Sequence, residues 1–328
     1  MPRCIWQWLY LGQCIIVLVG NVLLFLLFMS RHIIYIINPI SGTRTKKDLQ
    51  QFIAKKTAEK NIPFQIFPSV ASGDYSFLHA IIKEEKVTDV VIAGGDGTVS
   101  QVVSSLMECA VNFAIIPCGS GNGLAYTCSI PKQAAKALDV LFNGKAKLTD
   151  GFYINGHFAC MLCGLGFDAK VAHDFAQQPK RGLMTYVKQV VKNFFSATTY
   201  SFELEIGKQK ITTDAYFISI ANSNQFGNNF TIAPKASLND GLVDIVIVTS
   251  QSKLSVLLQT LNQVRGKNKL QPSTAINKQK AVIYFQADRF SINNLSQAPL
   301  HIDGDPAETA DTLEIEVKKK CFRLIQPE

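Results

Sequence analysis

Between Asp89 and Ser100 the chain reads Asp-Val-Val-Ile-Ala-Gly-Gly-Asp-Gly-Thr-Val-Ser. An apolar, β-branched run of strand length ends in glycines set around one carboxylate, and helix-compatible residues from Val99 to Met107 follow at once. That order reads as strand, tight loop, helix. Gly94, Gly95 and Gly97 permit a close backbone approach that a Cβ would forbid, and the amides of the following helix start favour an anion. A phosphate suits such a loop. Asp96 does not, because a carboxylate beside a polyphosphate is repelled unless a cation or a transferable proton lies between them. The combination points to Mg²⁺-assisted phosphoryl chemistry. A glycine-rich turn carrying an exposed Asp is the plainer alternative.

The same alternation surrounds this stretch. Ile33 to Ile37 reads as a buried strand ending in Asn38-Pro39-Ile40-Ser41-Gly42-Thr43, and a helix is expected from Lys46 to Lys60. Strands at Phe64 to Phe67, Val90 to Ala93 and Phe113 to Ile116 are separated by helices at Tyr75 to Lys86 and Thr98 to Ala110. The last strand ends in Pro117-Cys118-Gly119-Ser120-Gly121-Asn122-Gly123. Short apolar strands alternating with helices predict a doubly wound parallel sheet of α/β class, with ligand loops at the carboxyl ends of its strands. Three such loops should therefore converge on one crevice.

From about Lys147 the period changes to strands joined by turns, interrupted by helical stretches at Leu183 to Phe195 and Leu254 to Arg265. This predicts a β-rich second domain packed on the first, with boundaries at 31–146 and 147–328. A chain of 328 residues, 47% hydrophobic, suffices for two such domains.

Residues Ile5 to Met29 are almost continuously apolar, with Arg3 before them and Arg31, Arg44, Lys46 and Lys47 after. One reading is an N-outside anchor helix over residues 1–30, with the active domain on the cytoplasmic face of a membrane. The other is a translation start at Met29, which leaves the domain cytoplasmic. The net charge of +8 fits an anionic partner, and the absence of interleaved basic and aromatic residues favours nucleotide and membrane surface over nucleic acid. The eight cysteines show no regular spacing, and Cys160-Met161-Leu162-Cys163 lies in a hydrophobic run without a second pair, so a buried strand is expected there. The five histidines form no ligand pattern.

Taken together, Asn38-Pro39-x-Ser41-Gly42, Gly94-Gly95-Asp96-Gly97-Thr98, Pro117-x-Gly119-Ser120-Gly121-Asn122, Ala233-Pro234 with Asp240-Gly241-Leu242-Val243-Asp244, and Ile302-Asp303-Gly304-Asp305-Pro306 resemble, in order, the diacylglycerol kinase catalytic-domain family, which includes sphingosine and ceramide kinases. The resemblance implies an NAD-kinase-like α/β domain followed by a β-sandwich, with ATP in the cleft between them. It implies ATP contacts at Asn38, Ser69, Gly94, Gly95, Asp96, Gly97, Thr98, Val99, Ser100 and Ser120. It also implies Mg²⁺ held by Ser237, Asp240 and Leu242, the first and last through backbone carbonyls, and basic side chains of Lys180 or Arg181 near the phosphates.

Asp305 stands where bacterial relatives carry a Glu assigned as general base, one methylene longer, while Asp96 is the competing base in the sphingosine kinase branch. Gly123 replaces an Asp common in bacterial diacylglycerol kinases, which leaves the lipid open. The expected activity is transfer of the ATP γ-phosphoryl group to a hydroxyl of a membrane lipid, either diacylglycerol or a sphingoid or ceramide type. An NAD kinase and a non-catalytic nucleotide sensor are the rivals, and the oligomeric state, a dimer among the alternatives, stays open.

Overall fold

The computed structural model describes residues 9–11, 14–19, 22–27, 31–41, 46–178, 193, 197–227, 230–251 and 253–328. In the leader, β1 (Leu9–Leu11), β2 (Cys14–Val19) and β3 (Val22–Leu27) form a three-stranded antiparallel sheet in the order β1-β2-β3. Within Ile5 to Met29 the described residues are these strands, where the sequence suggests a helix. The run Ile15, Ile16, Val17, Val19 and Val22 is rich in β-branched residues, and Gly20-Asn21 is a two-residue hairpin signal between the paired ends Val19 and Val22. Among the described residues no helix is long and apolar enough to cross a membrane.

The first domain follows the expected alternation. It runs β4 (Ile33–Ile37), α1 (Lys46–Ala58), β5 (Phe64–Pro68), α2 (Leu78–Glu84), β6 (Asp89–Gly94), α3 (Asp96–Leu106), β7 (Asn112–Pro117), α4 (Gly123–Thr127) and α5 (Ala134–Asn143). Strands β5, β4, β6 and β7 lie side by side and parallel. Every residue of β4 and β6 is buried, as befits strands covered by helices on both faces. On α3, Val99, Val102, Val103 and Leu106 recur at helical spacing and face the core. Each such side chain contributes about 1.5–3 kcal/mol on burial. Helix α5 escaped the sequence reading, although Ala137, Leu138 and Leu141 carry the same spacing.

The second domain begins with β8 (Lys145–Ile154), so the expected boundary at 146/147 falls inside a strand. It continues through β9 (His157–Ala159), β10 (Leu162–Gly166), α6 (Phe167–Ala176), β11 (Tyr200–Ile206), β12 (Gln209–Ala221), β13 (Gln225–Gly227) and β14 (Phe230–Thr231). After these come β15 (Val243–Thr249), α7 (Lys253–Val264), β16 (Val282–Ala287), β17 (Arg289–Asn294), β18 (Leu300–Ile302), β19 (Asp305–Ala307) and β20 (Thr312–Gln326). Apart from Asn193, the helix expected over Leu183 to Phe195 lies outside the described residues.

Strand β20 joins the domains. It pairs with β8 in both halves, with β17 along its start, and runs parallel to β7 at Arg323 and Leu324. A register shift between Lys318 and Phe322, with Lys320 at φ 50, interrupts the regular pairing of the strand with β8. Strand β15 sits between two cores: Val246 and Val248 face the first, Val243, Ile245 and Ile247 the second. The cleft between the domains is consequently built on continuous sheet.

Candidate active site

The three expected loops do converge. Asn38, just past the end of β4, donates from Nδ2 to Thr98 Oγ1 at 2.8 Å, and its Oδ1 accepts the Ile40 N–H at 3.0 Å. At the end of β7, Asn122 adopts the left-handed conformation (φ 57), accepting the Gly119 N–H at 2.7 Å and donating to the Gly119 carbonyl at 2.8 Å. This closed ring sets Gly119 against the glycine loop: a Cβ on Gly119 would lie 2.6 Å from Gly95 Cα, so the two backbones touch.

Asp96 is the second link between loops. Its Oδ2 accepts the Gly123 N–H at 3.0 Å and its Oδ1 the Leu124 N–H at 3.2 Å, so both carboxylate oxygens hold the start of α4. Burial pushes its pKa up to about 6 against these two bonds, with the nearby Asp303 carboxylate adding to the rise. The residue after Asn122, where many relatives carry an acid, here supplies an N–H to Asp96.

The expected phosphate loop divides into two parts. Helix α3 starts at Asp96 with Gly95 as its extended N-cap, so the amides of 95–98 have no carbonyl partners within the helix. Val99 and Ser100 turn inward instead: the Val99 N–H bonds Gly95 O at 3.1 Å, and both side chains are buried. Ser69, at the end of β5, donates its N–H to Ile37 O at 2.9 Å and lies half-buried beside Tyr75. Ser120 is half-buried on the loop after β7. Lys180 and Arg181 lie outside the described residues.

From the far end of the chain, β18 and β19 form a hairpin with Ile302 paired to Asp305. Its two turn residues, Asp303 (φ 48) and Gly304 (φ 85), both have positive φ, as a type I′ turn requires. Asp305 is solvent-exposed, and its carboxylate lies against Gly97: a Cβ on Gly97 would overlap Asp305 Oδ2 and stand 3.0 Å from its Cγ. The tight turn and a site for Asp305 are thus the same structure.

Asp303 was legible only as part of a motif. It is buried, with Oδ1 accepting the Met161 and Leu162 N–H groups at 3.0 and 2.8 Å and Oδ2 accepting the Cys160 N–H at 3.0 Å and the Ser100 hydroxyl. Burial raises its pKa despite these donors. It fastens α3 of one domain to the β9–β10 connection of the other. Cys160 and Cys163 are buried free thiols, as expected of the apolar run.

The loop Ser237 to Leu242 is docked on β8 through the buried Asp150, which donates its N–H to Leu238 O and accepts the Gly241 N–H, both at 2.7 Å. Asp240 Oδ1 accepts the Leu242 N–H at 3.1 Å; desolvation raises its pKa and the neighbouring Asp150 carboxylate adds to that. A carboxylate so placed is the kind of oxygen donor a hard cation takes. Among the described residues no three His, Cys, Asp or Glu side chains form a cluster that could hold a metal, so a cation here would need ligands beyond the Asp240 carboxylate.

A parallel-stranded α/β domain whose carboxyl-end loops converge, met at Gly97 by the Asp305 carboxylate of a β-rich second domain, has the two-domain architecture of the NAD-kinase-like fold. Residues 32–154 match the diacylglycerol kinase catalytic domain, and residues 162–326 match the YegS C-terminal NAD kinase beta sandwich-like domain. The chain belongs to the diacylglycerol kinase catalytic-domain family and is a lipid kinase. It is 26% identical over 278 residues to the diacylglycerol kinase of Bacillus subtilis, covering 82% of this chain and 88% of that one. It is 28% identical over 190 residues to a Yersinia pestis protein described as a probable lipid kinase YegS-like, covering 56% of this chain and 64% of that one. The crystal structure of a diacylglycerol kinase from Bacillus anthracis shares the fold, with a TM-score of 0.65 at 18% identity over 90% of this chain and 97% of that one.

Proposed function

We propose that this kinase uses ATP and Mg²⁺ to phosphorylate the hydroxyl of a membrane lipid, diacylglycerol or a sphingoid or ceramide type. The observation that carries the reading is the Asp305 carboxylate resting against Gly97, at the start of the helix whose first-turn amides would receive the phosphates. The lipid hydroxyl gives its proton to Asp305 as its oxygen bonds to the γ-phosphorus, and the bond from that phosphorus to the β-phosphate oxygen breaks to release ADP. Asp305 is assigned as the base ahead of Asp96 because it stands exposed at the tip of its hairpin against Gly97, where an acceptor hydroxyl can reach it, whereas Asp96 fastens the start of α4 through both oxygens. Asn38, Thr98, Gly119 and Asn122 hold the loops in register. Ser237, Asp240 and Leu242 would hold a Mg²⁺ that fixes their loop, and a cation on the phosphates would offset the charge of Asp96. Lys180 and Arg181 are the cations proposed to meet the transferred charge, and the membrane surface is the source of substrate.

The test is label transfer from γ-³²P-ATP in the presence of Mg²⁺ and a total lipid extract, with NAD as the competing acceptor. Label in a lipid phosphate identifies the substrate. Label in the dinucleotide alone contradicts the proposal.

A further inference from the structure

Opposite the Asp305 hairpin, helix α6 carries a buried carboxylate with no task in the chemistry above. Asp168, the second residue of α6, is 7% exposed; its Oδ1 accepts the Ala169 N–H at 2.9 Å, and its Oδ2 has no hydrogen bond of ordinary length. That oxygen faces the Nε2 of His301, itself 3% exposed, at 3.5 Å. The other ring nitrogen, Nδ1, accepts the Gly304 N–H at 3.3 Å. Both side chains press on Gly164 of β10, where a Cβ would overlap Asp168 Oδ2 and lie 2.6 Å from His301 Nε2. A histidine of α6 itself, His173, bonds the Leu300 carbonyl at 2.7 Å, so the helix meets β18 at two points.

These contacts fix a tautomer. A ring nitrogen that accepts an N–H carries no proton, so the proton of neutral His301 sits on Nε2, toward Asp168. We propose that Asp168 and His301 form a positioning couple: Asp168 holds the proton on Nε2, which leaves Nδ1 free to hold the Gly304 N–H and with it the turn that presents Asp305 to Gly97. If the tautomer were reversed, two N–H groups would face each other at Gly304, and the turn would shift. Neither residue touches substrate. The role assigned here rests on the reading of Asp305 as base, and its test separates the two.

The ring of His301 in the intact protein is read by ¹⁵N–¹H NMR, and kcat and KM are measured for His301→Asn, His301→Gln and Asp168→Asn. The Nε2–H tautomer is expected in the wild type, reversed in Asp168→Asn, whose amide donates to Nε2. His301→Asn, with an acceptor oxygen near the Nδ1 position, is expected to keep kcat within about threefold, while His301→Gln and Asp168→Asn lose roughly tenfold or more with the KM for ATP unchanged, as is usual for partners that orient a reacting group. An Nδ1–H tautomer in the wild type, or equal losses in His301→Asn and His301→Gln, overturns the proposal. Full turnover in Asp305→Asn would instead contradict the base assignment, and the NMR result would still stand or fall by itself.

Discussion

The carboxylate of Asp305 occupies the space a side chain would need at Gly97, although one lies in the β-sandwich and the other in the first turn of α3. Glycine at 97 therefore has a reason beyond loop conformation: it admits the second domain's acid to the end of the phosphate cradle. Gly97→Ala is expected to favour the helix by about 1 kcal/mol on propensity while pushing the exposed Asp305 side chain aside. Turnover should fall at least about tenfold with no loss in thermal midpoint, measured by kinase assay and melting on one preparation.

Asp96 makes a prediction with a sign. Its pKa rises from an ordinary 3.8 to about 6 on folding, so between these values the native state holds a proton that the unfolded chain has lost. Stability contributed by this group is thus lost as pH rises from about 4 to about 6, and the deficit is complete above that range. Asp96→Asn removes the ionisation but offers a single acceptor to two N–H groups. In urea unfolding at pH 4, 5, 6 and 7, the variant should gain on the wild type up to pH 6 and not beyond, while its turnover is lower throughout.

The contact between Ser100 and Asp303 ties the domains together across 203 residues of chain. Ser100→Ala removes a donor to a buried carboxylate and should destabilise by about 1.5–3 kcal/mol. Asp303→Ala strands the Cys160, Met161 and Leu162 N–H groups and should cost about 3 kcal/mol or more. Chemical denaturation measures both, with the larger effect expected for Asp303.

Cation dependence follows from the Asp240 loop. If a divalent cation binds the Asp240 carboxylate and its flanking carbonyls, adding Mg²⁺ to metal-stripped protein without ATP should raise the thermal midpoint. Asp240→Asn should weaken that response, since one anionic ligand is lost.

Much of this was legible in the sequence because the signals are local. The spacing of Val99, Val102, Val103 and Leu106, the fully apolar β4, and glycine loops at strand ends all report on neighbours in sequence. The burial of Asp303 was not, because its donors lie far away at Ser100 and in the 160–162 segment; Asp-Gly after a strand signals only the turn. His301 likewise looked chemically silent, since its partner Asp168 belongs to α6, a helix the β-rich pattern concealed. In the leader a continuous apolar run satisfies helix and strand alike, and its β-branched residues favour the strands seen at Cys14–Val19 and Val22–Leu27.

The most direct test of the central claim is Asp305→Asn assayed for lipid phosphorylation alongside ATP binding and melting temperature. The variant should bind ATP and melt like the wild type but lose turnover by about 100-fold or more, the contribution of a positioned base. Turnover at the wild-type rate would contradict it.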